Sequence, residues 1–266
     1  MRWSMISLIP MAGKGSRFSK EGYRLPKPFI PVMKDEPMFI SAVRSFPKTE
    51  KYIFVCMEQF RRYLDFSNVR NLIQRDFRES MFLFTEQITE GQACTCLLAE
   101  DYLDKDSSLL ISSIDYQIVF DHEKFVELTN DESIDVGIFT FLISSIPKKN
   151  PEAFAYCVVN SGVVTEVAEK RTISSNPNFD PAVVGTFYYR RAEDFVTSAK
   201  RMIQRNIRVN NEFYVGTSIN QLIEMGKKVV IIPVKSFISF GDPFELELYR
   251  FWEEFFFNEE QTSTKR

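Results

Sequence analysis

Long apolar runs are missing from this 266-residue chain, and nothing in it approaches the roughly 20 consecutive apolar residues that a membrane-spanning helix requires. Histidine is almost absent as well. His122 stands alone, and Cys56, Cys94, Cys96 and Cys157 lack metal-ligand spacing, so a zinc centre would have no ligands. There is no Ser-His-Asp arrangement and no reactive cysteine next to a histidine. A charge excess is missing too: 33 Lys+Arg against 36 Asp+Glu leaves −3, too little positive charge for non-specific adhesion to nucleic acid or an anionic membrane. The four cysteines are expected to be free thiols in a cytoplasmic protein.

What the chain has in quantity is phenylalanine, 26 residues of it, within 44% hydrophobic and 26% charged residues. That balance belongs to a folded protein with a large core and excludes disorder over most of the length. Neither repeats nor an interdomain linker interrupt it. One domain over 1–258 is expected, followed by a polar, frayed tail at 259–266. The apolar run at 6–11 is too short for an export core and a glycine-rich turn follows at once, so it reads as a first buried strand.

Short buried runs alternate with helical patterns through the first half. Strands are predicted at 6–10, 52–57, 81–85 and 109–114. Helices are predicted at 37–46, started by Asp35, at 59–77 and at 92–102. Such alternation implies right-handed βαβ crossovers. The second half is richer in strands, at 134–143, 154–159, 163–169, 183–189, 227–234 and 237–240. Asn160-Ser161-Gly162 supplies a hairpin turn. Helices at 192–205 and 243–257 complete the pattern. The fold class expected is α/β: a Rossmann-like mixed, mainly parallel sheet with helices on both faces. Tyr249, Phe251, Trp252, Phe255, Phe256 and Phe257 are too many for one helix face; most are expected in the core, and pairing of two chains into a homodimer is the alternative.

The most informative segment is Ile9-Pro10-Met11-Ala12-Gly13-Lys14-Gly15-Ser16-Arg17-Phe18, with Lys27-Pro28 nine positions beyond Phe18. A strand running into Gly-x-Gly-Ser-Arg lets backbone approach a ligand closely. Its N–H groups can cradle phosphate oxygens, Arg17 can clamp them bidentately, and Lys27 can present a point charge. The third glycine of a Rossmann fingerprint is missing, as is the Lys-Ser/Thr pair of a P-loop. The compound pattern instead resembles the signature of the sugar-nucleotidyltransferases, pyrophosphorylase-like enzymes sharing a fold type with glycosyltransferases of the A class.

The resemblance extends over nearly the whole chain and implies a set of roles. Met11, Ala12, Gly13, Gly15 and Ser16 would bind nucleotide, with Arg17 and Lys27 as catalytic cations. Thr89-Glu90-Gly91-Gln92-Ala93 is similar to the family's base-recognition loop, placing Gln87 and Gly91 near the nucleobase. Asp115 stands where the family holds catalytic Mg²⁺. Glu169 and Lys170 resemble its acceptor-binding pair, and Gly185 and Glu212 its acceptor pocket. In 237–246 a departure occurs: Ser239 occupies the expected second metal-binding aspartate position and Asp242 replaces a threonine. Either Asp242 becomes the second metal ligand, or water and phosphates complete the shell, or catalysis has been lost.

Several segments are similar to small nucleotidyltransferases of bacterial capsule pathways, some of which use CTP and transfer to acceptors such as phosphoglutamine. The resemblance therefore implies Mg²⁺-dependent transfer of a nucleotidyl group, CMP favoured, from a triphosphate to a phosphorylated sugar, polyol or phosphoglutamine-like acceptor for surface polysaccharide synthesis. Two alternatives stay open. A non-catalytic nucleotide-binding regulator is permitted by Ser239. A nucleotide-sugar-dependent glycosyltransferase would want Asp-x-Asp, whereas Tyr116-Gln117 follows Asp115.

Overall fold

A computed structural model describes residues 4–143 and 150–263. The first half contains β1 (Met5–Pro10), α1 (Ser16–Lys20), β2 (Pro31–Met33), β3 (Glu36–Pro37), α2 (Met38–Arg44), β4 (Lys51–Met57), α3 (Arg61–Leu64), α4 (Ser67–Asp76), β5 (Ser80–Thr85), α5 (Gln92–Leu97), β6 (Ser108–Ser112), β7 (Tyr116–Val119) and α6 (His122–Asn130). The second half contains β8 (Val136–Phe141), β9 (Tyr156–Asn160), β10 (Val163–Ala168), β11 (Ala182–Tyr189), α7 (Ala192–Gln204), α8 (Val215–Glu224), β12 (Val229–Pro233), β13 (Ser236–Ser239) and α9 (Pro243–Ser263).

A nine-stranded mixed sheet with helices on both faces forms the centre, as the strand pattern implied. Its β6-β1-β4-β5 half is parallel. β11 joins antiparallel to β6 and carries β8 and β9 beside it, with β10 and β12 outermost. Side chains alternate along each strand between two cores. Ile9, Phe54 and Leu110 face α2, α4 and α6, while Leu8, Ile53 and Leu109 face α5, α7 and α8. Burial on both faces is why β4 and β6 read as unbroken apolar runs. The β9–β10 hairpin forms as expected, with Ser161 and Gly162 both at positive φ, the geometry that fits strand twist.

Several local expectations give way. Asp35 does not start α2: it lies in the β2–β3 turn beside Lys34 at φ 48, and Pro37 is the residue that precedes the helix. The pattern at 59–77 breaks into a short 3-10 turn, α3 and α4, with Asp65 and Phe66 between the two helices. The helix expected over 92–102 is α5 followed by a 3-10 turn at Glu100–Tyr102. The sequence pattern hides three helices, of which α1 is a single turn of five residues. α6 offers few apolar residues, and α8 is disguised by glycine and β-branched residues, although Val215, Ile219 and Leu222 bury one stripe at helical spacing.

α9 overturns the expectation of core burial. Phe244 is 77% exposed, Phe251 and Phe256 are 59% exposed, and Trp252 and Phe255 are also open to solvent, while Leu246 is buried and Tyr249 packs on the core. Side chains of this helix are described only as far as Phe256, so Phe257 lies outside them. The helix continues to Ser263, through residues expected as tail. All four cysteines are free, three of them buried. Among the described residues, no helix is long and apolar enough to cross a membrane.

Candidate active site

The site grows from the carboxyl ends of the parallel strands, where open α/β sheets leave a crevice. β1 passes into Met11, whose amide still bonds to the Val55 carbonyl at 2.8 Å, and the chain then turns through Gly13-Lys14-Gly15. Gly15 sits at φ +60 as the residue capping α1; a Cβ there would lie 2.9 Å from the Lys27 Cβ, so glycine serves both the turn and the passage of Lys27. Lys27 begins a 3-10 turn held between Pro26 and Pro28.

Lys27 and Asp115 meet here, from positions 88 residues apart in the chain. The Lys27 ammonium donates to Asp115 Oδ2 at 2.7 Å and to the Gly241 carbonyl at 3.3 Å, and stands 5.7 Å from the Phe18 ring centre. Burial by itself would raise the Asp115 carboxyl, but the charge and hydrogen bond of Lys27 outweigh it and hold the group below the usual range. Around this pair lies a cavity of about 320 Å³, lined by Met11, Gly13, Gly15, Ser16, Arg17 and Gly241.

A wider cavity of about 890 Å³ shares Gly13, Gly15, Arg17 and Asp115 with the first. It is lined further along by Ala12, Gly91, Glu169, Lys170, Gly185 and Glu212. The residues proposed from sequence thus converge on these cavities, with two exceptions. Gln87 is exposed and outside both linings; Gln92, one turn into α5, lines the wider cavity and donates to Ser113 Oγ at 2.9 Å. Asp242 is outside the linings as well. Its Oδ1 accepts the Glu245 amide at 2.9 Å, making it the cap of α9.

Glu245, which sequence reasoning missed, faces the cavity instead. Its Oε2 accepts from Ser239 Oγ at 2.7 Å and from the Gly241 amide at 3.1 Å. A Cβ on Gly241 would stand 3.1 Å from Asp115 Oδ2 and 3.6 Å from Glu245 Oε2, so this glycine keeps a small space open between two carboxylates. The readable signal was Asp-Pro-Phe-Glu, a capping box with proline at the first helical position. Among the described residues, no group of three or more His, Cys, Asp or Glu is arranged to hold a metal.

At the far end, Lys170 adopts φ 54, donates to the Ala153 carbonyl and lies 5.8 Å from the Tyr214 ring centre. Burial pushes the neighbouring Glu169 carboxyl up to about 7, partly countered by Lys170. The folded protein therefore keeps this proton where the unfolded chain has released it. Stability should fall as pH rises from the ordinary carboxyl range through 7, by at most about 1.4 kcal/mol per unit. Relative to wild type, Glu169→Gln is expected to gain stability between pH 5 and pH 8, measured by urea unfolding. An offset identical at both pH values would show the carboxyl to be unperturbed.

Residues 6–235 match the sequence profile of the family described as nucleotidyl transferase. No curated protein matches the chain. Among solved structures, the nucleoside-diphosphate-sugar pyrophosphorylase from Vibrio cholerae RC9 superposes with a TM-score of 0.73 at 22% identity, over 92% of this chain and 99% of that one. The inositol-1-phosphate CTP transferase from T. maritima superposes at 0.67 with 13% identity, over 92% and 93% of the two chains. At such identities the likeness is one of fold.

Proposed function

This chain belongs to the nucleotidyl transferase family, and we propose that it transfers a nucleoside monophosphate, CMP by preference, from a triphosphate to a phosphorylated small molecule. The observation that carries this reading is the Lys27–Asp115 contact at 2.7 Å, closing the glycine loop onto one cavity at the strand ends. An acceptor phosphate oxygen attacks the α-phosphorus in line; a new P–O bond forms, the α–β bridging P–O bond breaks, and pyrophosphate leaves with its electron pair. The acceptor is already an anionic nucleophile, so positioning and charge neutralisation supply the rate. Arg17 and the backbone of Gly13 to Ser16 hold the β and γ phosphates, and Lys27 stabilises charge gathering at the α-phosphate.

For a hard cation, Asp115 would be the residue that holds Mg²⁺, and Glu245, which lines the same cavity, would offer a second carboxylate. When bound, the ion would neutralise phosphate charge. Lys170 steadies the acceptor phosphate, while Glu169, Glu212 and Asn211 offer hydrogen-bond acceptors to hydroxyl or ammonium groups at the other end of the wider cavity. Those groups suit a phosphorylated sugar, polyol or phosphoglutamine-like acceptor. CTP is favoured by the resemblance of several segments, among them 89–95 and 206–214, to nucleotidyltransferases of bacterial capsule pathways. A cytoplasmic role supplying activated units for bacterial surface polysaccharide follows from the same resemblance, and the exposed aromatic face of α9 suits a homodimer.

The test crosses CTP, ATP, GTP, UTP and dTTP with phosphosugars, phosphopolyols, phosphocholine and phosphoglutamine in the presence of Mg²⁺, and measures released pyrophosphate. One triphosphate with one acceptor class should stand out. Tight nucleotide binding with no pyrophosphate from any pair would instead favour the non-catalytic regulator, the reading that Ser239 permits.

A further inference from the structure

The loop expected to meet the nucleobase, residues 89–93, and the turn at 209–212 that carries Glu212, expected to meet the acceptor, are joined directly. The Phe213 amide donates to the Glu90 carbonyl at 2.9 Å, and the Ala93 amide donates to the Phe213 carbonyl at 3.0 Å. Phe213 is 1% exposed. Behind this backbone contact sits Arg208. Its Nη2 donates to Glu90 Oε1 at 3.1 Å, its Nη1 to the Asn211 carbonyl at 3.2 Å and its Nε to Asn206 Oδ1 at 2.7 Å. The guanidinium also lies 4.0 Å from the Phe213 ring centre. One planar group thus touches both loops and the side chain wedged between them.

The turn itself is tight. Val209 and Glu212 exchange backbone hydrogen bonds across Asn210 and Asn211, both at positive φ, and both asparagines line the wider cavity together with Ile88, Gly91 and Gln92. The two loops are one wall with two faces. Anything that orders the nucleotide face changes the conformational freedom left in the acceptor face, and by linkage the reverse holds equally.

From this geometry we propose that Arg208 is a positioning residue that latches the acceptor turn to the nucleotide loop, so that nucleotide binding pre-orders the acceptor site. The inference rests on the functional reading above, which assigns one loop to each substrate. Lysine replaces arginine only in part here, because it lacks the planar fork that bonds Glu90 and Asn211 while stacking on Phe213. Glu90→Gln removes only the ionic part of the contact and should act in the same direction, less strongly.

Backbone hydrogen exchange, with each triphosphate and Mg²⁺ as probe, tests it. In wild type, the triphosphate that protects amides of 89–93 should also protect those of 209–213. In Arg208→Ala the first protection remains and the second disappears, while the acceptor KM rises about tenfold with little change in kcat. Arg208→Lys should recover only part of the KM. Protection spreading to 209–213 undiminished in Arg208→Ala, or never reaching them in wild type, overturns the latch while leaving the functional reading intact. No protection of 89–93 by any triphosphate overturns both.

Discussion

Replacing Lys27 with alanine is expected to cut pyrophosphate release roughly 10²–10³-fold, the usual cost of removing a charge contact made in the transition state. The substrate KM should move much less, because the ammonium acts most strongly where charge develops. Asp115→Asn should produce a loss of similar size. The two side chains form a single ion pair at 2.7 Å, so their effects are coupled. The double variant should be little worse than the poorer single one. Steady-state kinetics on the four proteins of this cycle measures it directly. Circular dichroism melts check that each variant is folded, since Lys27→Ala leaves Asp115 without its nearest cation. Near-normal turnover in both single variants would remove these residues from the mechanism.

Gly91→Ala should produce the largest structural penalty of any small substitution in the site. A Cβ at that position would lie 2.5 Å from both the amide nitrogen and the carbonyl oxygen of Phe213, and the residue sits at φ +136, a conformation L-residues avoid. Backbone cannot rotate away as a flexible side chain would. The base loop must separate from Phe213 and strain or break the bonds from the Phe213 amide to Glu90 and from Ala93 to the Phe213 carbonyl. A loss of about 2–4 kcal/mol is expected from backbone strain and weakened hydrogen bonds together, read by urea unfolding. Nucleotide affinity should fall with it. Gly13→Ala is the contrast, because nothing lies within 4 Å of a Cβ there, and its stability should change little.

Much of the site was legible because its residues sit in compact local motifs. Gly13, Gly15, Ser16, Arg17 and Lys27 fall within one short stretch, and the physical reason for each glycine can be guessed from a strand turning sharply toward a ligand. Asp115 was legible as a carboxylate at a strand end. Gln87 and Gln92 could not be ranked in the same way, because which of them faces the cavity depends on where α5 begins and how Gly91 packs against Phe213. Which carboxylate of 242–245 lines the cavity was hidden for a similar reason. Asp242 looked available in sequence, yet the start of α9 draws it into capping and turns Glu245 toward Ser239.

Composition, periodicity and the glycine loop, read together, determined the alternation of buried strands and helices, the mixed sheet they build, and the sharp glycine turn that lines the cavity at the strand ends. All of these depend on neighbours within a few positions, where steric limits and apolar spacing act directly. Only the folded chain decided which distant groups share one space: Lys27 with Asp115, Glu245 with Ser239 beside Gly241, and Arg208 between the base loop and the acceptor turn. It also decided that Phe244, Phe251, Trp252, Phe255 and Phe256 of α9 face solvent while Tyr249 turns to the core. Hydrogen bonds and close packing act over a few ångströms of space, whatever the separation along the backbone, and a linear string carries no record of those distances until the sheet brings its strand ends together.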